Sequence, residues 1–198
     1  MKKLVAMLLA TMMVFALCAC GQDETETEGM ANPVHECSYE ELVEVTGIDI
    51  AAPEAATDVT YSYIDMEDAD PIAQVQFTFE GHAYNYRCQS TTVTSLMTEI
   101  TDQGATIADD LIESLQEGIN VGQQLAGIYY DEWSGGAAVE VQDREGIVAY
   151  NDGEAGFIAW LDVVPGFMYS LSMNEDCTQD LLMTTADEIF VPMQGEVG

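Results

Sequence analysis

The sequence predicts an α+β fold in which an antiparallel β-meander sheet is covered by an N-terminal and a C-terminal helix, with a helical insertion. Apolar and polar residues alternate along several short segments, as they do in half-buried strands. The turns between these segments are too short for the crossover that a parallel pair needs. Apolar residues at helical spacing near both ends, and again within residues 91–124, predict the helices.

The N-terminal helix has a clear start and stop. Ser38-Tyr39-Glu40-Glu41 is a capping box, with a serine at the N-cap and a glutamate three residues later. Gly47 ends the predicted helix. Three strands follow, with an acidic turn over residues 65–71 and a tight turn at Glu80-Gly81. They are predicted over residues 59–64, 73–79 and 83–89.

The insertion and the second half of the chain follow the same logic. Helical spacing is found within Thr91 to Gly122, and Gly118 is interpreted as a stop. Thr178 is predicted to cap the last helix, whose apolar residues extend to Phe190. Short turns rich in Gly, Asp, Asn and Pro separate the intervening strands. These strands are predicted over residues 126–133, 137–142, 146–150, 156–164 and 167–173.

The N-terminus has the pattern of a lipoprotein export signal. Lys2 and Lys3 precede an apolar run that is shorter than the roughly 20 residues needed to span a bilayer, and Leu17-Cys18-Ala19-Cys20 follows it. An ordinary secretory signal is the alternative. We expect residues 1–19 to be removed and Cys20 to carry diacylglycerol and acyl chains such as palmitate. The acidic linker 20–31 then tethers one domain, residues 32–198, to the extracytoplasmic face of the cell membrane.

Charge excludes several functional classes. Removing residues 1–19 also removes both lysines, so all 36 acidic residues of the chain face only Arg87 and Arg144. Nucleic-acid binding requires cations that neutralise phosphates, so no nucleic-acid partner is expected. Schiff-base chemistry and phosphate-binding loops of the Walker type require a lysine that the mature chain lacks.

No motif for catalysis or metal binding is present. His35 and His82 are the only histidines and do not have zinc-ligand spacing, while the acidic run at residues 65–70 lacks the glycine and glutamate of a calcium-binding EF-hand loop. We therefore predict no catalytic residue, no metal and no cofactor. Three cysteines remain after Cys20, and the sequence leaves open whether two of them form a disulfide or all stay thiols. They are Cys37, Cys88 and Cys177.

Two groups of residues are candidates for ligand contact. Arg87 and Arg144 either face a ligand carboxylate or pair with acids of the same sheet. The second group is aromatic and forms either a binding face or ordinary core packing. It comprises Tyr129, Tyr130, Trp133 and Trp160.

The chain resembles an uncharacterised family of bacterial extracytoplasmic and lipoprotein domains, a domain of unknown function. The resemblance extends over most of residues 32–191 and departs from the family pattern at residues 91–124. It implies an open antiparallel sheet with a helix on its concave side, distantly similar to lipoprotein carriers, and implies no catalytic residue. The matching segments are Asn32-Pro33, Gly47–Pro53, Ile72–Phe77, Tyr84–Arg87, Leu125–Tyr129, Ala159-Trp160 and Tyr169–Ser172.

These observations together predict a membrane-anchored extracytoplasmic lipoprotein that is a ligand-binding, protein-binding or sensor domain and not an enzyme. Its expected partners are the membrane, through lipidated Cys20, and an envelope protein or a small hydrophobic ligand. One alternative is a carboxylate-dependent extracytoplasmic hydrolase, since acids are plentiful. The other is an acidic structural surface protein, in which charge itself is the function.

Overall fold

A computed structural model describes residues 32–67, 69–90, 108–164 and 166–193. The signal peptide, Cys20 and the acidic linker lie outside the described residues, as do residues 91–107 of the insertion. The described strands are β1 Val34–Cys37, β2 Thr57–Ile64, β3 Ile72–Phe79, β4 His82–Ser90, β5 Gly135–Val141, β6 Arg144–Tyr150, β7 Gly156–Asp162 and β8 Phe167–Met173. The described helices are α1 Tyr39–Thr46, α2 Ala108–Ala126 and α3 Gln179–Ile189.

The strands form one eight-stranded sheet in the order β1-β2-β3-β4-β8-β7-β6-β5. Every neighbouring pair is antiparallel, which confirms the α+β class with an antiparallel sheet. The sheet consists of two four-stranded meanders, β1 to β4 and β5 to β8, joined where β4 pairs with β8. The chain between β4 and β5, which includes α2, therefore connects the centre of the sheet to its edge.

Helices cover both faces of the sheet. Along β7, Ile158 and Trp160 belong to a cluster of buried apolar side chains that includes Leu42 of α1 and Leu182 of α3. The alternating residues of β7, such as Phe157, belong to a second cluster built with α2. Because successive side chains of a strand point to opposite faces, α1 and α3 lie on one face and α2 on the other. We call these the α1/α3 face and the α2 face.

Local sequence signals account for the ends of α1 and α3. The backbone N–H of Glu41 donates to Ser38 Oγ at 3.2 Å, and that of Leu181 donates to Thr178 Oγ1 at 3.2 Å, so both predicted N-caps are confirmed. Gly47 follows α1 with φ +67°, a left-handed conformation that glycine adopts without steric cost. The hydroxyl of Thr185, in the middle of α3, donates to Tyr84 Oη at 3.1 Å and ties the helix to β4.

The prediction of a strand over residues 126–133 is wrong, and so is the prediction of a helix stop at Gly118. Helix α2 continues through Gly118 to Ala126, and no strand follows it before Gly135 within the described residues. A helical glycine costs about 1 kcal/mol relative to alanine, but close packing can require it. Such packing occurs one turn later, where a Cβ on Gly122 would collide with the Phe157 ring of β7.

Strand β1 forms one edge of the sheet. Val34–Cys37, for which no strand was predicted, pairs with β2 along the sheet edge, and the His35 ring stacks on Tyr63 with centroids 4.9 Å apart. Among the described residues, none of the helices is both long and apolar enough to cross a membrane.

Candidate functional site

The two arginines of the described chain have different surroundings. Arg144 Nε lies 3.4 Å from Asp162 Oδ1, and its guanidinium carbon lies 5.4 Å from the centre of the Phe190 ring. Pairing with an acid of the sheet, one of the two interpretations of the sequence, therefore holds for Arg144. Arg87 contacts no carboxylate among the described residues, although the chain is strongly acidic.

Arg87 belongs to a polar row on the α2 face. Ser62, Gln74 and Arg87 are cross-strand neighbours on β2, β3 and β4. Gln74 Nε2 donates to Ser62 Oγ at 2.8 Å, and Arg87 Nε donates to Gln74 Oε1 at 2.7 Å. Arg87 Nη1 then donates to the backbone oxygen of Leu125 at 2.9 Å, in the last turn of α2. The row thus connects the sheet to the end of the helix.

The C-terminal end of α2 replaces a carboxylate as the partner of Arg87. The last carbonyls of a helix lack partners within it and have a partial negative charge of about half an electron. Burial lowers the pKa of Arg87, so this compensation is needed to keep the guanidinium in place. Gly127 makes the approach sterically accessible, because a Cβ there would lie 2.6 Å from Arg87 Nη1. We assign Arg87 a structural role.

The aromatic residues do not form one binding face. Trp160 is fully buried on the α1/α3 face and stacks with Tyr169 at a centroid distance of 5.4 Å. Trp133 packs on Phe157 at the α2 face and donates to Gln123 Oε1 at 3.2 Å. These contacts assign both tryptophans to packing, whereas Tyr129 is 67% exposed.

The described carboxylates give little support for an acid–base centre. Asp162 is the only one of them that is buried, and its neighbour is Arg144. No group of three or more His, Cys, Asp or Glu side chains in the described part of the chain is arranged to hold a metal ion.

The three cysteines are free thiols in the structure. Cys88 and Cys177 are buried, and Cys37 is half-buried. Burial raises the pKa of Cys88 well above its usual value and that of Cys177 to about 12. Since the thiolate is the reactive form, both buried cysteines are poor nucleophiles at neutral pH.

A cavity of about 240 Å³ opens on the α1/α3 face. Most of its wall is apolar, with Tyr86 contributing from the sheet, and two carboxylates, Asp49 and Glu188, take part in the lining. Among the described residues, no lysine, arginine or histidine lines it. The remaining lining residues are Ile50, Ala51, Ala52, Pro53, Ile189 and Val191.

The loop after α1 builds one wall of this cavity. Ile48 and Ile50 are buried, whereas Asp49 between them is exposed, so the loop is anchored on both sides of the carboxylate. Tyr39 Oη donates to Asp49 Oδ1 at 2.5 Å, and this hydrogen bond raises the pKa of Tyr39 because the phenol must stay protonated to donate it. This hydrogen bond orients the carboxylate of Asp49.

The C-terminal end of α3 builds the opposite wall. Gln142, in the turn between β5 and β6, holds this end through its side chain, which donates to the backbone oxygens of Asp187 at 2.6 Å and Phe190 at 2.9 Å. The backbone N–H of Gln142 also donates to Asp187 Oδ1 at 3.1 Å. Glu188 makes no hydrogen bond or ion pair with the described residues and remains available at the cavity.

Tyr86 closes the cavity on the sheet side. Its side chain is 1% exposed, and its ring stacks on Trp160 at a centroid distance of 6.0 Å and an interplanar angle of 14°. No described residue hydrogen-bonds to its hydroxyl, and burial raises its pKa well above the usual value. The ring is thus rigidly held, and its only polar atom lacks a protein partner in the described structure.

No pattern in the sequence predicts this cavity directly. Its walls come from two helix ends far apart in the chain and one strand between them. Pro53 and Gly47 mark a loop there, and the alternation of buried Ile48 and Ile50 with Asp49 indicates an anchored carboxylate.

A scan against protein-family models, a search of curated proteins and a search of solved structures found no match.

Proposed function

We propose that this protein is a lipid-anchored extracytoplasmic binding protein, not an enzyme, and that it binds a small, mainly apolar ligand in the cavity between the loop after α1 and the end of α3. The observation that carries the proposal is the cavity itself: an apolar wall with few polar groups, held in place on three sides. Small-molecule sites typically have this composition.

The size of the cavity limits the ligand. Its volume of about 240 Å³ lies just below the range of roughly 300 to 1,000 Å³ that is common for small-molecule sites. A ligand with one ring or a short alkyl chain fits, whereas a full-length lipid acyl chain does not. The site is also preformed, because Gln142, Tyr39 and the buried isoleucines fix its walls, and this keeps the entropic cost of binding low.

A binding role accounts for the described polar groups better than a hydrolytic one. A carboxylate pair for acid–base work requires two acids within reach of one bond, at least one of them with a perturbed environment. Asp162 is buried but pairs with Arg144, and it does not line the cavity. The two carboxylates that do line it are exposed.

The anchor belongs to the same proposal. The motif that ends at Cys20 supports processing to a lipoprotein, and the resemblance to uncharacterised lipoprotein domains supports the same location. The acidic domain would be repelled by anionic headgroups, so acyl chains must supply the attachment. Family membership stays a prediction.

The binding role is tested with a neutral probe. Full-chain lipoprotein in nanodiscs of zwitterionic lipid is dialysed to equilibrium against phenethyl alcohol, with empty nanodiscs as the blank. We expect saturable binding that Ala52→Phe abolishes, because the new ring fills the cavity, and that Ala138→Phe leaves intact, because Ala138 is exposed on β5 outside the lining. Binding that both variants retain would refute this site.

A further inference from the structure

We propose that the ligand of the cavity carries a positive charge. The site recognises a small organic ammonium whose apolar body contacts Ile50 and Ile189 and whose cationic head lies between Asp49 and Glu188. The inference rests on the proposed function and adds the chemical class of the ligand to it. Three features support it: the charge of the cavity lining, Tyr86, and the C-terminal end of α3.

The charge of the lining has one sign. Asp49 and Glu188 are the only formally charged side chains among the described residues of the lining. Asp49 is positioned by the hydrogen bond from Tyr39, while Glu188 has no partner among the described residues. Both carboxylates line the same cavity, so a cation bound there is attracted by two negative charges.

Tyr86 supplies a second feature that a cation would use. Its side chain is 1% exposed and lines the cavity, and its ring lies nearly parallel to the rings of Trp160 and Tyr169, at centroid distances of 6.0 and 6.2 Å. Ammonium groups are attracted to the faces of such rings. The Tyr86 hydroxyl has no hydrogen-bond partner among the described residues. It can accept a hydrogen bond from a primary ammonium.

The end of α3 supplies the third. The C-terminus of a helix has a partial negative charge, and basic residues are favoured there. Helix α3 has no basic residue in its last turn and carries Asp187 and Glu188 instead. Gln142 compensates the backbone oxygens of Asp187 and Phe190 but leaves Glu188 uncompensated. Arg144 lies over the Phe190 ring at this helix end but does not line the cavity, so a bound cation would add a positive charge on the side of Glu188.

Three probes with one apolar body separate the outcomes. Phenethylamine, phenethyl alcohol and hydrocinnamate present a positive, a neutral and a negative head on the same phenyl arm. They are measured by equilibrium dialysis against the full-chain lipoprotein in zwitterionic nanodiscs, with empty nanodiscs as the blank. We expect phenethylamine to bind roughly tenfold more tightly than the alcohol, hydrocinnamate to bind more weakly than either, and the preference to shrink as salt rises.

Matched variants locate the effect. Asp49→Asn with Glu188→Gln should reduce the amine preference to within about twofold while the alcohol still binds, because only the charges are removed. Glu44→Gln with Glu140→Gln removes the same net charge from exposed positions of α1 and β5 and should leave the preference intact.

Two outcomes would overturn the inference. If the alcohol and the amine bind equally and Ala52→Phe blocks both, the cavity binds small molecules but does not select a cation. If no probe shows binding that Ala52→Phe blocks, the proposed function fails together with the inference.

Discussion

Replacing Arg87 with methionine tests whether the polar row holds α2 on the sheet. Methionine keeps most of the side chain's apolar length and removes the guanidinium. The variant loses two hydrogen bonds from a charged donor, to Gln74 Oε1 at 2.7 Å and to the oxygen of Leu125 at 2.9 Å. It also leaves the oxygen of Gln74, a residue only 4% exposed, without its donor.

The magnitude follows from these contacts. Each hydrogen bond to a charged group is worth about 1.5–3 kcal/mol, and an orphaned buried acceptor costs about 1–3 kcal/mol. Removing the guanidinium also removes the desolvation cost of a buried charge, which the lowered pKa of Arg87 indicates. This offsets part of the loss. We expect the free energy of unfolding to fall by about 2–4 kcal/mol, which a domain of ordinary stability survives.

Urea unfolding followed by tryptophan fluorescence measures the effect. Trp160 reports on the core of the α1/α3 face, and Trp133, which is hydrogen-bonded to Gln123 of α2, reports on the helix that Arg87 holds. Adding Gln74→Met to Arg87→Met should cost less than the two single changes added together, with a coupling of about 1–3 kcal/mol.

The control pairs Arg87→Met with Gln116→Met, an exposed position of α2 that does not contact Arg87, and should be additive to within about 0.5 kcal/mol. A loss below about 0.5 kcal/mol for Arg87→Met, or no coupling with Gln74, would refute the anchoring role.

Three further predictions use other features. Gly127→Ala should destabilise the protein by more than Gly47→Ala in the same urea assay. Both positions have positive φ, so a side chain costs about 1–2 kcal/mol of backbone strain at each, but only a Cβ on Gly127 would meet Arg87. Equal losses would contradict the close approach of Arg87 to Gly127. The free energy of unfolding should decline above pH 9, because the pKa of Cys177 is about 12 in the folded protein and 9.0 in the unfolded chain. Between these values the decline from this one group is about 1.36 kcal/mol per pH unit. Cys177→Val should make the decline shallower, and an unchanged slope would refute this. Cys20→Ala should block processing or release the protein from membranes in fractionation, and unchanged lipidation and retention would refute the anchor.

The sequence predicts the parts of this fold that depend on neighbouring residues. Ser38 and Thr178 cap their helices because the donors they bind lie three residues away. The alternation in residues 73–79 and 83–89 identifies β3 and β4 because one face of each strand packs in the core. Such signals are contained within a short stretch of chain, so they can be recognised without the tertiary structure.

Features that depend on distant partners are the ones that sequence reasoning misses. Gly118 resembles a helix stop, and the packing of α2 against β7 decides otherwise. Arg87 acquires its partner from a backbone oxygen 38 residues away, and backbone oxygens carry no sequence signal. The cavity likewise exists only where the loop at Asp49 meets the end of α3.

The two longer helices treat their negative ends differently, and this contrast leads to the last prediction. Neither α2 nor α3 has a basic residue in its last turn. Arg87 of the sheet donates to a carbonyl of α2. At α3, by contrast, Arg144 lies over the Phe190 ring and makes no hydrogen bond to a helix carbonyl among the described residues, and Glu188 lines the cavity. Because the negative end of α3 repels Glu188, Glu188→Lys should stabilise the empty protein. If Glu188 also serves a cationic ligand, the same change should abolish the preference for phenethylamine.

The expected gain in the free energy of unfolding is about 0.3–1 kcal/mol, from replacing a repelled charge at the helix end with an attracted one. Urea unfolding without ligand and equilibrium dialysis with phenethylamine measure the two effects on one variant. Glu44→Lys, an equal charge change on the exposed side of α1, should leave the amine preference unchanged. A loss of stability in Glu188→Lys would contradict the electrostatic argument about the helix end. An unchanged preference for the amine would contradict the role of Glu188 in binding a cation, which is the function that explains an unfavourable charge at this position.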